Sequence, residues 1–136
     1  MGFEKFGRIS FTSQTKVEPF VDYLEQGEIR AAKCPSCQRV FFPPRADCAW
    51  CLTEEMEWVK VEGEGTLVSY TKANYAPTGF ENDVPYILAL ADFNGVKVFA
   101  RISQEVGEED IKTGMKVKVV PVTYPGDQLG YELVPA

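Results

Sequence analysis

The chain of 136 residues contains no histidine. That absence removes the most common general base, so neither a Ser-His-Asp nor a Cys-His arrangement can be assembled from it. Long apolar runs are missing as well: nothing approaches the roughly 18–20 residues that a membrane-spanning helix needs. The opening Met1-Gly2-Phe3-Glu4-Lys5-Phe6-Gly7-Arg8 leads into no signal-peptide core, and an acylation signal would want Ser or Thr where Phe6 stands. The expectation is a cytoplasmic protein with no membrane partner. Basic charge is scarce: 14 Lys and Arg against 20 Asp and Glu leave a net charge of -6, and from Val61 onward 6 basic residues face 11 acidic ones. A groove that tracks a phosphate backbone needs the opposite sign. Internal repeats and low-complexity tracts are absent too.

With 45% hydrophobic and 25% charged residues the composition is that of an ordered globular protein, long enough to bury a core. Phe3, Phe6, Ile9 and Phe11 show no clean period. From about Thr15 to Gln26, Val17, Phe20, Val21 and Leu24 follow the i, i+3, i+4, i+7 spacing of one helix face. Thr15 and Glu18 have capping-box spacing, Pro19 suits only a first turn, and Gly27 can take the left-handed terminal position. The helix packs on its own domain or on a partner; the sequence leaves both open.

The second half reads as strands. Gly63 and Gly65 precede a β-rich run from Thr66 to Tyr75, followed by an irregular loop from Ala76 to Val84. Tyr86–Phe93 and Val96–Ile102 flank Asn94-Gly95, a dipeptide that accepts positive φ at both centres of a type I′ turn. On the second arm Val96, Val98, Ala100 and Ile102 share the core face. An acidic segment from Gly107 to Thr113, anchored by Ile111, is expected to form one or two helical turns ending at Gly114. Lys116–Thr123 and Leu129–Val134 complete five strands, the order of an OB-fold barrel.

All four cysteines fall in two knuckles, Cys34-Pro35-Ser36-Cys37 and Cys48-Ala49-Trp50-Cys51. Each Cys-x-x-Cys turn aims two thiolates at one point, and two turns close the four-sulfur shell of a structural zinc ion. Disulfide pairing and iron in the same geometry compete with this reading; two redox motifs of identical spacing explain the pattern less economically. A closed shell leaves no position for water or substrate, so such a metal is not catalytic. The pairs Glu54-Glu55 and Glu108-Glu109 stand in polar stretches and read as solvated faces.

Between the knuckles stands Arg39-Val40-Phe41-Phe42-Pro43-Pro44-Arg45. With the preceding helix, the strands beyond, Gly63-x-Gly65 and Val84-Pro85-Tyr86, the pattern resembles the OB-fold acyl-CoA-associated proteins, catalogued as domain of unknown function thirty-five, over roughly residues 15–136. It departs at Gln38, where the family commonly has Gly. The resemblance implies a mainly β protein with an N-terminal helical segment (1–29), a rubredoxin-like zinc ribbon (30–58) and a five-stranded OB barrel (59–136). It further implies a non-enzymatic scaffold that holds or channels acyl-CoA beside a thiolase or hydroxymethylglutaryl-CoA synthase type enzyme, in lipid or isoprenoid metabolism. CoA carries phosphates, an adenine and a thin pantetheine arm; Arg39, Phe41, Phe42, Arg45 and Arg101 supply cations and stacking surfaces, and Phe80 lies in the first of the two loops, 76–84 and 124–130, that frame OB ligand sites. The metal ligands are Cys34, Cys37, Cys48 and Cys51. The alternative is a nucleic-acid module that stacks bases on Trp58, Tyr70, Tyr75, Tyr86 and Phe99, which the acidity disfavours.

Overall fold

A computed structural model of the chain describes residues 5–7 and 15–136. Phe3, Ile9 and Phe11 lie outside the described residues. Helix α1 spans Pro19–Glu25 and buries Phe20, Val21 and Leu24. Its start is later than the Thr15/Glu18 spacing suggested. Thr15–Glu18 instead forms a turn in which the Glu18 N–H donates to the Thr15 carbonyl at 3.2 Å, and no side chain caps the helix. The cause is Pro19: a residue without an N–H and with φ already fixed is favoured at the first helical position, which pins the helix there. Gly27, at φ +83°, ends it.

Three short strands follow, β1 (Arg30–Lys33), β2 (Val40–Phe41) and β3 (Glu57–Lys60), in the order β2-β1-β3. The two cysteine knuckles occupy the connections β1–β2 and β2–β3. The Val61 N–H then donates to the Ile29 carbonyl at 2.8 Å, tying the exit of the ribbon to its entrance.

The remaining strands are β4 (Gly65–Ala73), β5 (Tyr86–Phe93), β6 (Val96–Ile102), β7 (Lys116–Tyr124) and β8 (Gln128–Pro135). They close as β4-β5-β6-β8-β7, with Gly65 opposite Val117 completing the ring. Every pairing is antiparallel except β6 with β8, where Arg101 faces Glu132 and Ile102 faces Leu133. This is the OB topology expected from strand order. β4 carries a bulge between Leu67 and Ser69, which adds the bend that a small barrel needs. At Gly65 a Cβ would stand 2.8 Å from ring atoms of buried Phe93, so only glycine lets the chain pass there.

Asn94 and Gly95 both take positive φ, 55° and 92°, as a two-residue type I′ hairpin requires. The Asp92 carboxylate accepts the Gly95 N–H at 2.6 Å and the Lys97 ammonium at 3.0 Å, and these bonds hold its pKa below the ordinary carboxylate value. The acidic segment forms a single 3-10 turn, Glu108–Asp110, with Ile111 buried behind it. The loop expected over 124–130 is much shorter. β7 runs to Tyr124 and β8 starts at Gln128, leaving Pro125, Gly126 and Asp127 as the turn, because Gly130 has no side chain to keep the Tyr124 ring from lying across β8.

Helix, ribbon and barrel share one buried cluster: Phe20, Val21, Leu24, Ile29 and Ala31 are continuous with Leu67, Ala91, Val98, Val117 and Leu133. The junction is aromatic. Phe20 meets Phe42 of the ribbon at 6.0 Å between ring centroids and Tyr131 of β8 at 6.0 Å, and Phe42 meets Tyr131 at 5.1 Å, all edge-on, the arrangement that the ring quadrupoles favour. Phe6 closes the cluster against Phe20 and Tyr131.

Candidate metal centre and ligand surfaces

The backbone of each knuckle is built the same way. The Cys34 N–H donates to the Arg39 carbonyl and the Gln38 N–H to the Cys34 carbonyl; in the second knuckle the Cys48 N–H donates to Thr53 and the Leu52 N–H to Cys48. Both knuckles need a left-handed residue directly after their second cysteine, and Gln38 (φ 66°) and Leu52 (φ 61°) fill those places. Gln38 stands where the resembled family commonly has glycine, and its side-chain amide donates to the Pro35 carbonyl at 3.0 Å, a local bond that offsets part of the strain.

Within these loops the four sulfurs all lie within 4.8 Å of one another, and Cys37 Sγ and Cys48 Sγ are 3.7 Å apart. A tetrahedral zinc site with Zn–S near 2.3 Å has S···S edges of about 3.8 Å. Backbone N–H groups of Cys37, Trp50 and Cys51 point at the Cys34 and Cys48 sulfurs at 3.3–3.5 Å, as thiolates require. The sulfurs alone are in conflict: hydrogen bonding from the Arg39 backbone draws the Cys37 thiol down to about 6, while Cys51, hydrogen-bonded to Cys37 and facing the other sulfurs, is pushed up to about 12. The opposed shifts describe one crowded set in which full ionisation needs a central cation. The four cysteines are positioned to bind a metal, and all four coordination positions of a tetrahedral ion are then taken.

The other residues singled out in the sequence fall on two surfaces. On the ribbon, the Arg39 guanidinium lies 4.7 Å from the Trp50 ring centroid and that of Arg45 lies 5.7 Å from that of Phe41. Phe42 faces inward between Phe20 and Tyr131. Arg45 also borders a cavity of about 240 Å³ with Val17, Met56 and Trp58. On the barrel, Arg101 lies 5.6 Å from the Tyr86 ring centroid and 3.6 Å from Glu132, which in turn accepts the Tyr124 hydroxyl at 3.3 Å. Tyr86 lines a second cavity of about 200 Å³ with Ile87, Ile102 and Val106 as apolar walls and Lys72 and Glu108, paired at 2.9 Å, at its rim. Phe80 is half-buried in the loop before β5. Of the rings expected to stack bases, Trp58 packs edge-on against Tyr23 and Tyr86 beneath Arg101, while Tyr70, Tyr75 and Phe99 are exposed.

Sequence reasoning missed Glu132 and Tyr131. The alternation in β8 gives no sign that an acid on the outer barrel face is covered by Arg101 and Tyr124, or that Tyr131 holds the ribbon. Among the described residues no helix is long and apolar enough to cross a membrane.

A four-thiolate ribbon docked on a closed OB barrel defines the class: a zinc-ribbon/OB-fold protein. Residues 21–57 match the model of the ChsH2 rubredoxin-like zinc ribbon domain and residues 58–122 that of the ChsH2 C-terminal OB-fold domain. A DUF35 domain-containing scaffold protein of Pyrococcus furiosus is 32% identical over 99 residues, covering 72% of this chain and 71% of that protein. The protein of the same description from Methanocaldococcus jannaschii is 32% identical over 90 residues, 65% of this chain and 63% of the relative, so the match spans a little under two thirds of that relative's length. The chain belongs to the DUF35 family, whose relatives here are called scaffold proteins. Among solved structures, a chain described as Ltp2-ChsH2(DUF35) aldolase superposes with a TM-score of 0.73 at 20% identity, over 92% of this chain and 98% of the other. A DUF35 protein of unknown function from Sulfolobus solfataricus gives 0.59 at 24% identity, over 88% and 84%. At these identities the likeness is one of fold.

Proposed function

We propose that this protein is a non-enzymatic scaffold subunit that holds an acyl-CoA thioester beside a condensing enzyme of the thiolase or hydroxymethylglutaryl-CoA synthase type. The observation that carries the reading is the gathering of all four cysteines into one site in a chain without histidine. A thioester brought to this protein meets no thiolate nucleophile free of the cluster and no imidazole base. Chemistry then has to come from a partner, in keeping with relatives called scaffold proteins and with a structural neighbour described as an aldolase with its DUF35 chain.

The slot beside Arg101 suits the thin part of the ligand. Ile87, Ile102 and Val106 offer an apolar wall to a pantetheine or short acyl arm, Lys72 at the rim exchanges its Glu108 partner for a phosphate oxygen, Arg101 stands behind the Tyr86 ring that lines the slot, and Phe80 is on the loop leading to it. Arg45 over Phe41, with Arg39 also on the ribbon, offers a second patch for the nucleotide end. The zinc ion that the four thiolates fit supplies rigidity to that patch and no reactivity. The nucleic-acid alternative loses two of its five stacking rings to internal contacts, on a chain of net charge -6.

Calorimetry with acetyl-CoA and acetoacetyl-CoA, and co-expression with a thiolase or hydroxymethylglutaryl-CoA synthase from the same organism, test the proposal. Saturable heat that is lost in Arg101→Ala, together with a co-purifying complex, is the expected result. No heat at high protein concentration and no complex would overturn it.

A further inference from the structure

The second knuckle needs a left-handed residue after Cys51, but nothing in the fold calls for that residue to be leucine. Leu52 is held at φ 61°, a region where a bulky side chain is an outlier, and its side chain is 78% exposed. Glycine or asparagine would occupy the position with less strain and no apolar exposure. The comparison with Gln38, in the equivalent place of the first knuckle, is instructive: there the side chain returns a hydrogen bond to Pro35, whereas Leu52 makes only its backbone bond to Cys48. Two residues earlier, Trp50 is 64% exposed with the Arg39 guanidinium on its face. Among the described residues neither Arg39 nor Arg45 is paired with a carboxylate, although the chain has six more acidic than basic groups. Exposed Trp and Arg on a rigid, metal-held turn are the residue types that dominate binding energy in protein interfaces. A bulky apolar side chain kept exposed at a position where glycine fits better points to a constraint from outside the chain.

We infer that the tip of the second knuckle, Trp50 and Leu52 with the Arg39 guanidinium on the Trp50 face, is the surface by which this chain docks on its enzyme partner. The partner offers an apolar socket for the two side chains, with a carboxylate at its rim that complements the Arg39 guanidinium. The inference rests on the scaffold reading above, and it shifts the CoA contacts toward Arg45's cavity and Arg101, since an Arg39 engaged in docking is not free for phosphate.

The test uses the full zinc-loaded chain and the thiolase or hydroxymethylglutaryl-CoA synthase from the same organism. Leu52→Gly is expected to raise the melting temperature of the isolated chain by relieving strain, yet to weaken enzyme binding at least ten-fold. Trp50→Ala is expected to weaken binding similarly and to leave the calorimetric signal with acetyl-CoA unchanged. In a Trp58→Phe background, acrylamide quenching of the remaining Trp50 falls when the enzyme is added. Enzyme binding that both variants retain, with Trp50 still fully quenchable, overturns the docking inference while leaving the scaffold reading intact. A dimer of this chain that Leu52→Gly dissolves overturns it in favour of a second copy as the occupant. Wild type that binds no enzyme at all overturns both.

Discussion

Truncating Phe42 tests whether ribbon and barrel fold as one unit. Its ring is half-buried and makes edge contacts with Phe20 of α1 and Tyr131 of β8, so Phe42→Ala removes the middle of the junction. Full burial of a phenylalanine is worth about 3–5 kcal/mol against alanine, and each lost edge contact accounts for about 0.5–1.5 kcal/mol; for a half-buried ring the expected loss is about 2–3 kcal/mol. An unfolding entropy near 2.1 cal/mol/K per residue gives about 0.3 kcal/mol/K for a chain of this length, so the melting temperature falls by roughly 7–10 °C. The assay is thermal unfolding of zinc-loaded protein followed by far-UV circular dichroism, dominated by the barrel, and by emission of Trp50 and Trp58, which report on the ribbon. Both probes are expected to give one coincident transition before and after substitution, moving down together. A circular dichroism transition that stays in place while the tryptophan signal moves would refute the shared core.

Three further outcomes are expected. Gly65→Ala drives a Cβ to 2.8 Å from the buried Phe93 ring and lowers stability by about 1–3 kcal/mol, measured by urea unfolding; an unchanged midpoint would show that Phe93 has room to move. Chelation releases four reactive thiols and, because metal binding and ribbon folding are one event, lowers the unfolding midpoint of the whole chain; a thiol reagent and the same melt check both at once. Asp92 is held below its ordinary pKa by Lys97 and the Gly95 N–H, so its contribution is complete above the unfolded value, about 4, and is lost as pH falls through the lowered folded value. Asp92→Asn therefore flattens part of the acid limb of a stability–pH curve below about pH 5, and an identical acid limb in the variant would contradict the assignment.

How much of this was legible in the sequence depends on how local the signal was. The cysteine knuckles and the Asn94-Gly95 hairpin were readable because ligand spacing and positive φ are properties of a few adjacent residues. The barrel followed from strand order, whereas its closure through Gly65 and Val117 pairs strands about fifty residues apart and left no local sign. Four further features were not readable. The start of α1 turned on the competition between a capping box and Pro19, which the proline wins. The 124–130 loop closed into a tight turn because Gly130 admits the Tyr124 ring, a contact made only once the hairpin exists. The aromatic junction of Phe20, Phe42 and Tyr131 joins residues more than a hundred positions apart, and the Arg101–Glu132 pair depends on the parallel β6–β8 pairing. Of the residues expected at a ligand site, Arg39, Phe41 and Arg45 lie on the ribbon and Arg101 on the barrel, while Phe42 is occupied by the core.

In the scaffold we propose, one metal ion takes all four thiolates and leaves a carrier that holds a thioester without reacting with it. Native mass spectrometry of the purified chain, alone and after addition of acetyl-CoA, tests this directly. The account predicts a folded species carrying a single zinc ion and a non-covalent CoA adduct, with the polypeptide itself unmodified. A compact metal-free chain, or an acetyl group covalently attached to a cysteine, would contradict it.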